Sequence, residues 1–398
     1  MFWTSRGFRR KTAAIGMESR LVTKYPVRTR RRRRYWPYYV PVIGLVVLAF
    51  LWTALWFRAS NVTQETLQGW FDREGRAGRL YSCASPQFGG YPFRIEVHCA
   101  PAAMEWRSPQ PTVFAQVTGM LVAAQVWQPS LLVSDFEGPL IMSDSQGRPA
   151  FSANWARLQT TVRGAPALPE RVAISMNDVL FERVTPSGDE KLFKAKGAEL
   201  RGRIVQGSAA GNPVIDLSLK LDDATAPTIN PLTGKAFDAD ITFTLHGLKD
   251  FSPKSWPERF RELQQTGGRI DITHARAQQG EAIALATGSL VINESGHLDG
   301  QLLITVAGLD RLLPTLGLDK LVQPGGRIDR LAGTLDRVSP GLGNIAREHA
   351  SAGIAAGIGL LGEQTQLEGR RAVVLPLRIT NGDMFLGQLA VGQINPLF

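Results

Sequence analysis

The feature that most constrains this chain is a run of 20 residues without a charged side chain, from Tyr38 to Phe57. At 1.5 Å per residue, a helix of this length matches the roughly 30 Å hydrocarbon core of a bilayer. Tyrosine and tryptophan lie at both ends of the run, where their amphipathic rings suit the headgroup region. We therefore predict a single transmembrane helix over residues 38–57.

The excess of basic over acidic residues is confined to the segment before this run. Of 45 Lys and Arg and 35 Asp and Glu, residues 1–34 contain 12 basic groups and one acid, which leaves 33 and 34 in the remaining 364 residues. Only three residues separate the five arginines Arg30–Arg34 from the apolar run, and the positive-inside rule therefore predicts that residues 1–37 form a basic cytosolic arm. Since the rest of the chain is neutral, we expect no nucleic-acid partner.

Two other interpretations of the apolar run are a cleaved signal peptide and a buried core helix. The run is longer than a usual signal-peptide core, and no small-x-small cleavage site follows it. A core helix would not carry a polyarginine flank. We favour an uncleaved signal-anchor, with the carboxyl-terminal body outside the cytosol. In a bacterium this corresponds to a single-pass inner-membrane protein whose body is periplasmic.

The residues after the apolar run predict one helix and then a β-rich body. Residues 58–79 are interpreted as a membrane-proximal helix, with Val62, Leu67, Trp70 and Phe71 on one stripe. Residues 80–398 contain short segments that alternate between apolar and polar residues, such as Ile215–Asp222, with turn residues between them. We predict a mainly β, α+β fold: a large curved antiparallel sheet with helical insertions at Lys254–Gln265, at Leu309–Leu316 and around Gly343–Leu361.

The two cysteines, Cys83 and Cys99, are separated by 15 residues. Because the predicted topology exposes both to an oxidising compartment, we expect a disulfide between them, and two separate buried thiols are the alternative. A zinc site is not expected, since the adjacent His98 and Cys99 would point to opposite faces of a strand.

No motif predicts catalysis, and we expect no catalytic residue, no cofactor and no metal. The five histidines lack metal-ligand spacing and are interpreted as surface residues: His98, His246, His274, His297 and His349. The sequence Gly357-Ile-Gly-Leu-Leu-Gly362 matches G-x-G-x-x-G literally, but no strand of a βαβ unit precedes it. We predict that the protein is not an enzyme, while a triad assembled from distant residues stays an alternative.

Several segments together resemble a known family. They are Gly89-Gly-Tyr-Pro-Phe-Arg-Ile95 between the cysteines, the stretch Gly288–Gly300 leading into Val306-Ala-Gly-Leu-Asp310, Leu375-Pro-Leu-Arg-Ile-Thr-Asn-Gly382 with Leu386-Gly-Gln-Leu-Ala-Val-Gly392, and Pro396-Leu-Phe398. In this order they are similar to the bacterial envelope family called domain of unknown function 2125. The hairpin at Gly288–Gly300 is also similar to carboxyl-terminal repeats of AsmA-like proteins. The resemblance implies a single-span protein with a periplasmic β-rich body, and supplies no catalytic residues.

Two functions fit these expectations. In the first, the apolar face of the curved sheet forms a groove for a lipid or another hydrophobic ligand. In the second, the body is a non-catalytic scaffold that binds envelope proteins through an exposed patch or strand edge. An envelope hydrolase is a third and weaker interpretation. In every case, membrane lipid is a partner through the anchor.

Overall fold

In the computed structural model, the described residues are 36–107, 112–164, 168–229, 231–252, 254–308, 362–386 and 389–398. The chain divides into two compact units, residues up to Leu51 and Trp52–Phe398. The described part of the first unit is helical throughout. The second unit contains the sheet.

Helix α1 extends from Trp36 to Arg76 and continues without a break from the predicted transmembrane helix into the predicted membrane-proximal helix, which ends three residues earlier than expected. It is long and apolar enough to cross a membrane. Basic side chains in its last turn, Arg73 and Arg76, complement the negative end of the helix dipole. Gly78 then adopts a φ of +80°, the left-handed conformation that commonly follows a helix end.

The body is mainly β, as predicted, and the 19 strands that the structure describes belong to one sheet with antiparallel pairing. The strands are β1 Arg79–Cys83, β2 Gln87–Gly89, β3 Arg94–Cys99, β4 Ala102–Trp106, β5 Val113–Gln125, β6 Gln128–Ser143, β7 Pro149–Asn154, β8 Arg157–Arg163, β9 Arg171–Arg183, β10 Glu190–Ser208, β11 Gly211–Ala224, β12 Phe237–His246, β13 Arg269–Gln279, β14 Ala282–Ile292, β15 Leu298–Ala307, β16 Glu363–Leu367, β17 Arg370–Thr380, β18 Asp383–Leu386 and β19 Leu389–Gln393. A short 3₁₀ turn, Pro231–Gly234, precedes β12.

Most strands pair with their neighbours in sequence, so the sheet is a long meander. From β8 to β15 each strand pairs with the next. Several strands depart from this order. Strands β3 and β4 both pair with β5, and strands β7 and β8 both lie between β6 and β9. Strand β17 pairs with β16, with β18 and also with β15. Short connections rich in Gly, Asn and Asp favour this hairpin topology.

The turns that carry the carboxyl-terminal family motifs lie against each other. Asn381 and Gly382 have φ values of +52° and +81°, as the two central residues of a type I′ hairpin turn require. The Asn293 amide donates to the Asn381 side-chain oxygen at 2.8 Å, and the Leu397 N–H donates to the Gly296 carbonyl at 2.8 Å. Segments that are far apart in sequence therefore close one end of the sheet together.

Helix α2, Trp256–Gln265, confirms the predicted insertion and begins two residues later than expected. Ser255 is its N-cap: the Ser255 hydroxyl accepts from the Glu258 N–H, and the Glu258 carboxylate accepts from the Ser255 N–H at 2.9 Å. This capping box, with Pro257 in the first turn, fixes where the helix begins. The insertions predicted at Leu309–Leu316 and around Gly343–Leu361 lie outside the described residues.

Candidate functional site

The strand register places apolar side chains on one face of the sheet. In antiparallel pairs, directly opposed residues share a face, and alternate residues along a strand lie on opposite faces. One row across five strands is Ile174, Leu200, Leu219, Ile241 and Ala275. The adjacent row on the other face is Ser175, Glu199, Lys220, Asp240 and Arg276.

The same register continues the first row from β3 to β17. We call this surface the apolar face; its residues, in strand order, are Ile95, Val97, Cys99, Met120, Val122, Ala124, Leu132, Phe136, Leu158, Val162, Val172, Ile174, Met176, Leu200, Ile204, Ile215, Leu217, Leu219, Ile241, Phe243, Leu245, Ile270, Ile272, Ala284, Ala286, Leu290, Leu302, Ile304, Val306, Val373, Leu375, Leu377 and Ile379. Two polar residues, Ser134 and Thr160, share it. Eleven strand spacings of about 4.8 Å give the face a length on the order of 50 Å.

Helix α1 covers the start of the apolar face. Leu67 packs against a buried cluster of Val97, Cys99 and Ala102. The predicted disulfide is present in this cluster and joins Cys83 to Cys99 with a Cα–Cα distance of 5.2 Å. The crosslink therefore ties the first strands of the sheet together where the helix packs.

The predicted turn Gly89–Ile95 also contacts α1. The Trp52 indole N–H donates to the Pro92 carbonyl at 3.0 Å, and the Trp56 indole N–H donates to the Arg94 carbonyl at 2.9 Å. The Tyr91 ring meets the Trp56 ring edge-on, with centroids 5.4 Å apart. Both tryptophans belong to the uncharged run 38–57, so this turn lies beside the end of the apolar helix segment.

Two exposed aromatic side chains lie next to these contacts. Phe93 is 59% exposed and Trp127 is 63% exposed, and their ring centroids are 6.2 Å apart. Sequence analysis missed Trp127, because it lies in the connection between β5 and β6 and meets Phe93 only through the pairing of β3 with β5. Single exposed aromatics are common, whereas an adjacent pair marks a surface suited to an apolar partner.

Helix α2 covers a second part of the apolar face. Leu263 and Phe260 pack with Ile215, Leu245 and Ile292 at one end of the central strands. The buried Glu262 carboxylate holds the helix in place. It pairs with Lys254, with Arg259 at 2.9 Å, and accepts from the Lys249 N–H at 2.8 Å.

These groups give Glu262 a structural role. Burial raises the pKa of the Glu262 carboxyl, but the bonds from Lys254 and Lys249 and the charge of Arg259 outweigh burial, so its pKa lies below its usual value. The carboxylate is thus charged and paired at neutral pH.

The middle of the apolar face differs from its two covered parts. Ile174, Leu219 and Ile241 are half-buried, and Leu200 is 39% exposed. Within the described ranges, none of the three buried apolar clusters includes these four residues. These four side chains therefore stay partly exposed to solvent, whereas a buried cluster around Val179 and Ala198 lies elsewhere on the same strands.

The described histidines lie apart from one another. His246 is 3.2 Å from the Asp271 carboxylate, His297 lies in a turn beside the Ser295 hydroxyl, and His98 lies on the face opposite Cys99. His349 lies outside the described residues. Across the described ranges, no group of three or more His, Cys, Asp and Glu side chains is arranged to hold a metal ion.

These features define a class: a β-sheet protein with an amino-terminal helix of membrane-spanning length and one extended apolar face. Residues 56–395 match the model of a family described as an uncharacterized protein conserved in bacteria (DUF2125), and the chain belongs to that family. This confirms the resemblance drawn from the sequence motifs, whereas the likeness to AsmA-like proteins stays a prediction. No curated protein matches the chain.

Proposed function

We propose that this protein is a non-catalytic, inner-membrane-anchored envelope protein that holds the acyl chain of a lipid against the apolar face of its periplasmic sheet. The observation that carries the proposal is the apolar register, which is unbroken by charge from β3 to β17 and half-buried in its central strands. Large apolar surfaces of this kind mark contact sites for lipids or for other apolar partners.

The position where the face begins favours lipid over protein as the ligand. Its first strands pack under α1, and the turn Gly89–Ile95 bonds to Trp52 and Trp56 in the apolar run. With that run in a bilayer, Phe93 and Trp127 lie near the headgroup region, where aromatic rings are favoured. An acyl chain leaving the membrane would then reach the apolar face beside the part that α1 covers.

The arm and the disulfide support the proposed topology. Arginines before the apolar run retain the amino terminus in the cytosol by the positive-inside rule. The bond between Cys83 and Cys99 is of the kind that persists in an oxidising compartment such as the periplasm.

Site-specific photocrosslinking in cells tests the proposal. A photoreactive amino acid at Leu200 or Leu219 would face the bound chain, whereas the same amino acid at Glu199 or Lys220 faces the other side of the sheet. We expect lipid adducts, detected by mass spectrometry, from the first two positions and at least fivefold fewer from the other two. Leu48, within the apolar run, serves as the positive control for lipid labelling.

Equal labelling from both faces, or no lipid adduct at Leu200 and Leu219, would contradict lipid binding. A reproducible protein adduct at those two positions would favour the scaffold function instead.

A further inference from the structure

The face opposite the apolar face carries a cleft with a basic lining. Its volume is about 560 Å³, and it extends across strands β6 to β12. Its charged lining residues are Arg163, Arg171, Arg201, Arg203 and Asp216. Four arginines and one aspartate are therefore among the residues that line the same open space.

Three of these arginines are direct cross-strand neighbours. Arg163 on β8 is opposite Arg171 on β9, and Arg171 is opposite Arg203 on β10. Like charges at directly opposed positions destabilise a sheet, because the side chains project side by side about 5 Å apart. A fold that keeps three cations in one row sustains an electrostatic cost that an anion in the cleft would remove.

Only part of this charge is compensated within the protein. Arg203 pairs with Asp216 at 2.8 Å, and Arg201 pairs with Glu199 at 2.6 Å. Within the described ranges, no carboxylate lies within 4.0 Å of the Arg163 or Arg171 guanidinium group. Both side chains are exposed, so they are free to turn toward a ligand.

Asp216 is fixed as the partner of Arg203. The Thr244 hydroxyl donates to Asp216 at 2.7 Å, and this bond together with Arg203 holds the pKa of the Asp216 carboxyl below its usual value. Asp216 therefore stays charged at neutral pH and orients one wall of the cleft, while Arg163 and Arg171 form the uncompensated wall.

We propose that this cleft is a binding site for a phosphate-bearing ligand, held by the guanidinium groups of Arg163, Arg171 and Arg203. The planar guanidinium fork matches two oxygens of a phosphate group. A space of this volume lies in the range of small-ligand sites and leaves room for a group attached to the phosphate. A soluble phosphate ester and a phospholipid headgroup share this chemistry. The charged groups of the site are separate from the apolar face, since the side chains of Arg163, Arg171 and Arg203 project from the other side of the sheet.

Isothermal titration of the full chain in detergent tests the site with two probes. Inorganic pyrophosphate represents a soluble ligand, and dihexanoyl phosphatidylglycerol below its micellar concentration represents a headgroup. We expect at least one probe to bind at low salt, and Arg163→Gln and Arg171→Gln each to weaken that binding at least tenfold. Arg157→Gln is the matched control: it neutralises an exposed arginine on the same strand, outside the cleft lining, and should change binding less than twofold.

Thermal melting of the same variants separates a binding role from a structural one. If the row is strained in the absence of ligand, Arg171→Gln raises the melting temperature of the free protein while weakening binding. Binding of neither probe, or binding that Arg163→Gln and Arg171→Gln leave unchanged, overturns the proposal. Tight binding of pyrophosphate alone assigns a soluble ligand, and binding of the short lipid alone assigns a headgroup.

Discussion

The first strands of the sheet and its central strands share one face but differ in what covers it. Val97 is 8% exposed and Cys99 is 2% exposed, because α1 and the disulfide lie over them. Leu200, on the same face several strands away, is 39% exposed. Strand alternation alone thus determines which side is apolar, and a long-range partner determines whether that side becomes a core.

This difference in exposure assigns folding stability to the covered region and ligand binding to the central region. Residues under α1 gain the full free energy of removing apolar surface from water. Residues in the central strands gain only part of it, and the remainder is available to a ligand. We therefore expect changes in the covered region to affect folding and changes in the central region to affect binding.

The largest expected effect is loss of the disulfide. Cys83→Ser with Cys99→Ser should lower the free energy of unfolding by roughly 3 kcal/mol, because the unfolded chain regains the entropy of a closed loop. Hydrogen exchange should accelerate in β3–β5 and stay unchanged in β10–β12. The control is Ser82→Ala, an exposed neighbour on β1. Equal acceleration in both groups of strands would mean that the two regions unfold as one unit.

The next largest effect is the difference in unfolding free energy between one side-chain truncation in each region. Val97→Ala should cost about 2 kcal/mol, since it removes two buried methyl groups and leaves a cavity. Leu200→Ala removes more atoms, yet it should cost under about 1 kcal/mol, because much of that side chain is already exposed. Denaturant unfolding of the two variants measures both losses of unfolding free energy. The reverse order would show that the central strands are as well packed as the covered ones.

A smaller effect concerns the second covered region, under α2. Hydrogen bonds from Ser252 and the charge of Lys254 hold the pKa of Asp250 at about 2, and the pKa of Glu262 is also lowered. Because both values are depressed in the folded protein, their stabilisation is complete above the unfolded values, near pH 4, and is lost as pH falls toward 2.

Thermal melting between pH 5 and pH 2.5 checks this expectation. Glu262→Gln should remove part of the acid sensitivity and reduce the melting temperature at pH 7 by on the order of 2 °C. Unchanged acid sensitivity in this variant would assign the pH dependence to other carboxylates.

The smallest effect concerns the exposed aromatic pair. In proteoliposomes that contain brominated phospholipid, Trp127→Phe should lower the quenchable fraction of tryptophan fluorescence, because this ring lies beside the turn bonded to α1. Trp256→Phe, at a ring on α2 that is 75% exposed, should lower it much less. Equal changes in the two variants would place Trp127 away from the membrane surface.

The sequence predicts the helices and strands of this fold more fully than the contacts between residues that are distant in sequence. The apolar run, the alternation of Ile215–Asp222, the capped helix after Ser255 and the cysteine pair each depend on local pattern, and each is present. The neighbours of Trp127 and the arginine row are set by the register of strands, which no short segment encodes.

The register also explains why the arginine row escapes sequence reasoning. Arg171 and Arg203 are 32 residues apart in sequence and become neighbours only through the pairing of β9 with β10. Each residue by itself resembles an ordinary exposed cation on a strand. Only their position side by side on adjacent strands distinguishes these two arginines from ordinary solvated surface residues.

The meander has a consequence for how such proteins diversify. Strands β8 to β15 each pair with the next in sequence, and the apolar side chains keep the same side throughout. Removing or inserting a complete two-strand hairpin in this stretch would leave the flanking strands antiparallel. Their apolar side chains would stay on the same face of the sheet. The width of the sheet can therefore change by one hairpin, about 10 Å, at a time, without a change in the strands at either end.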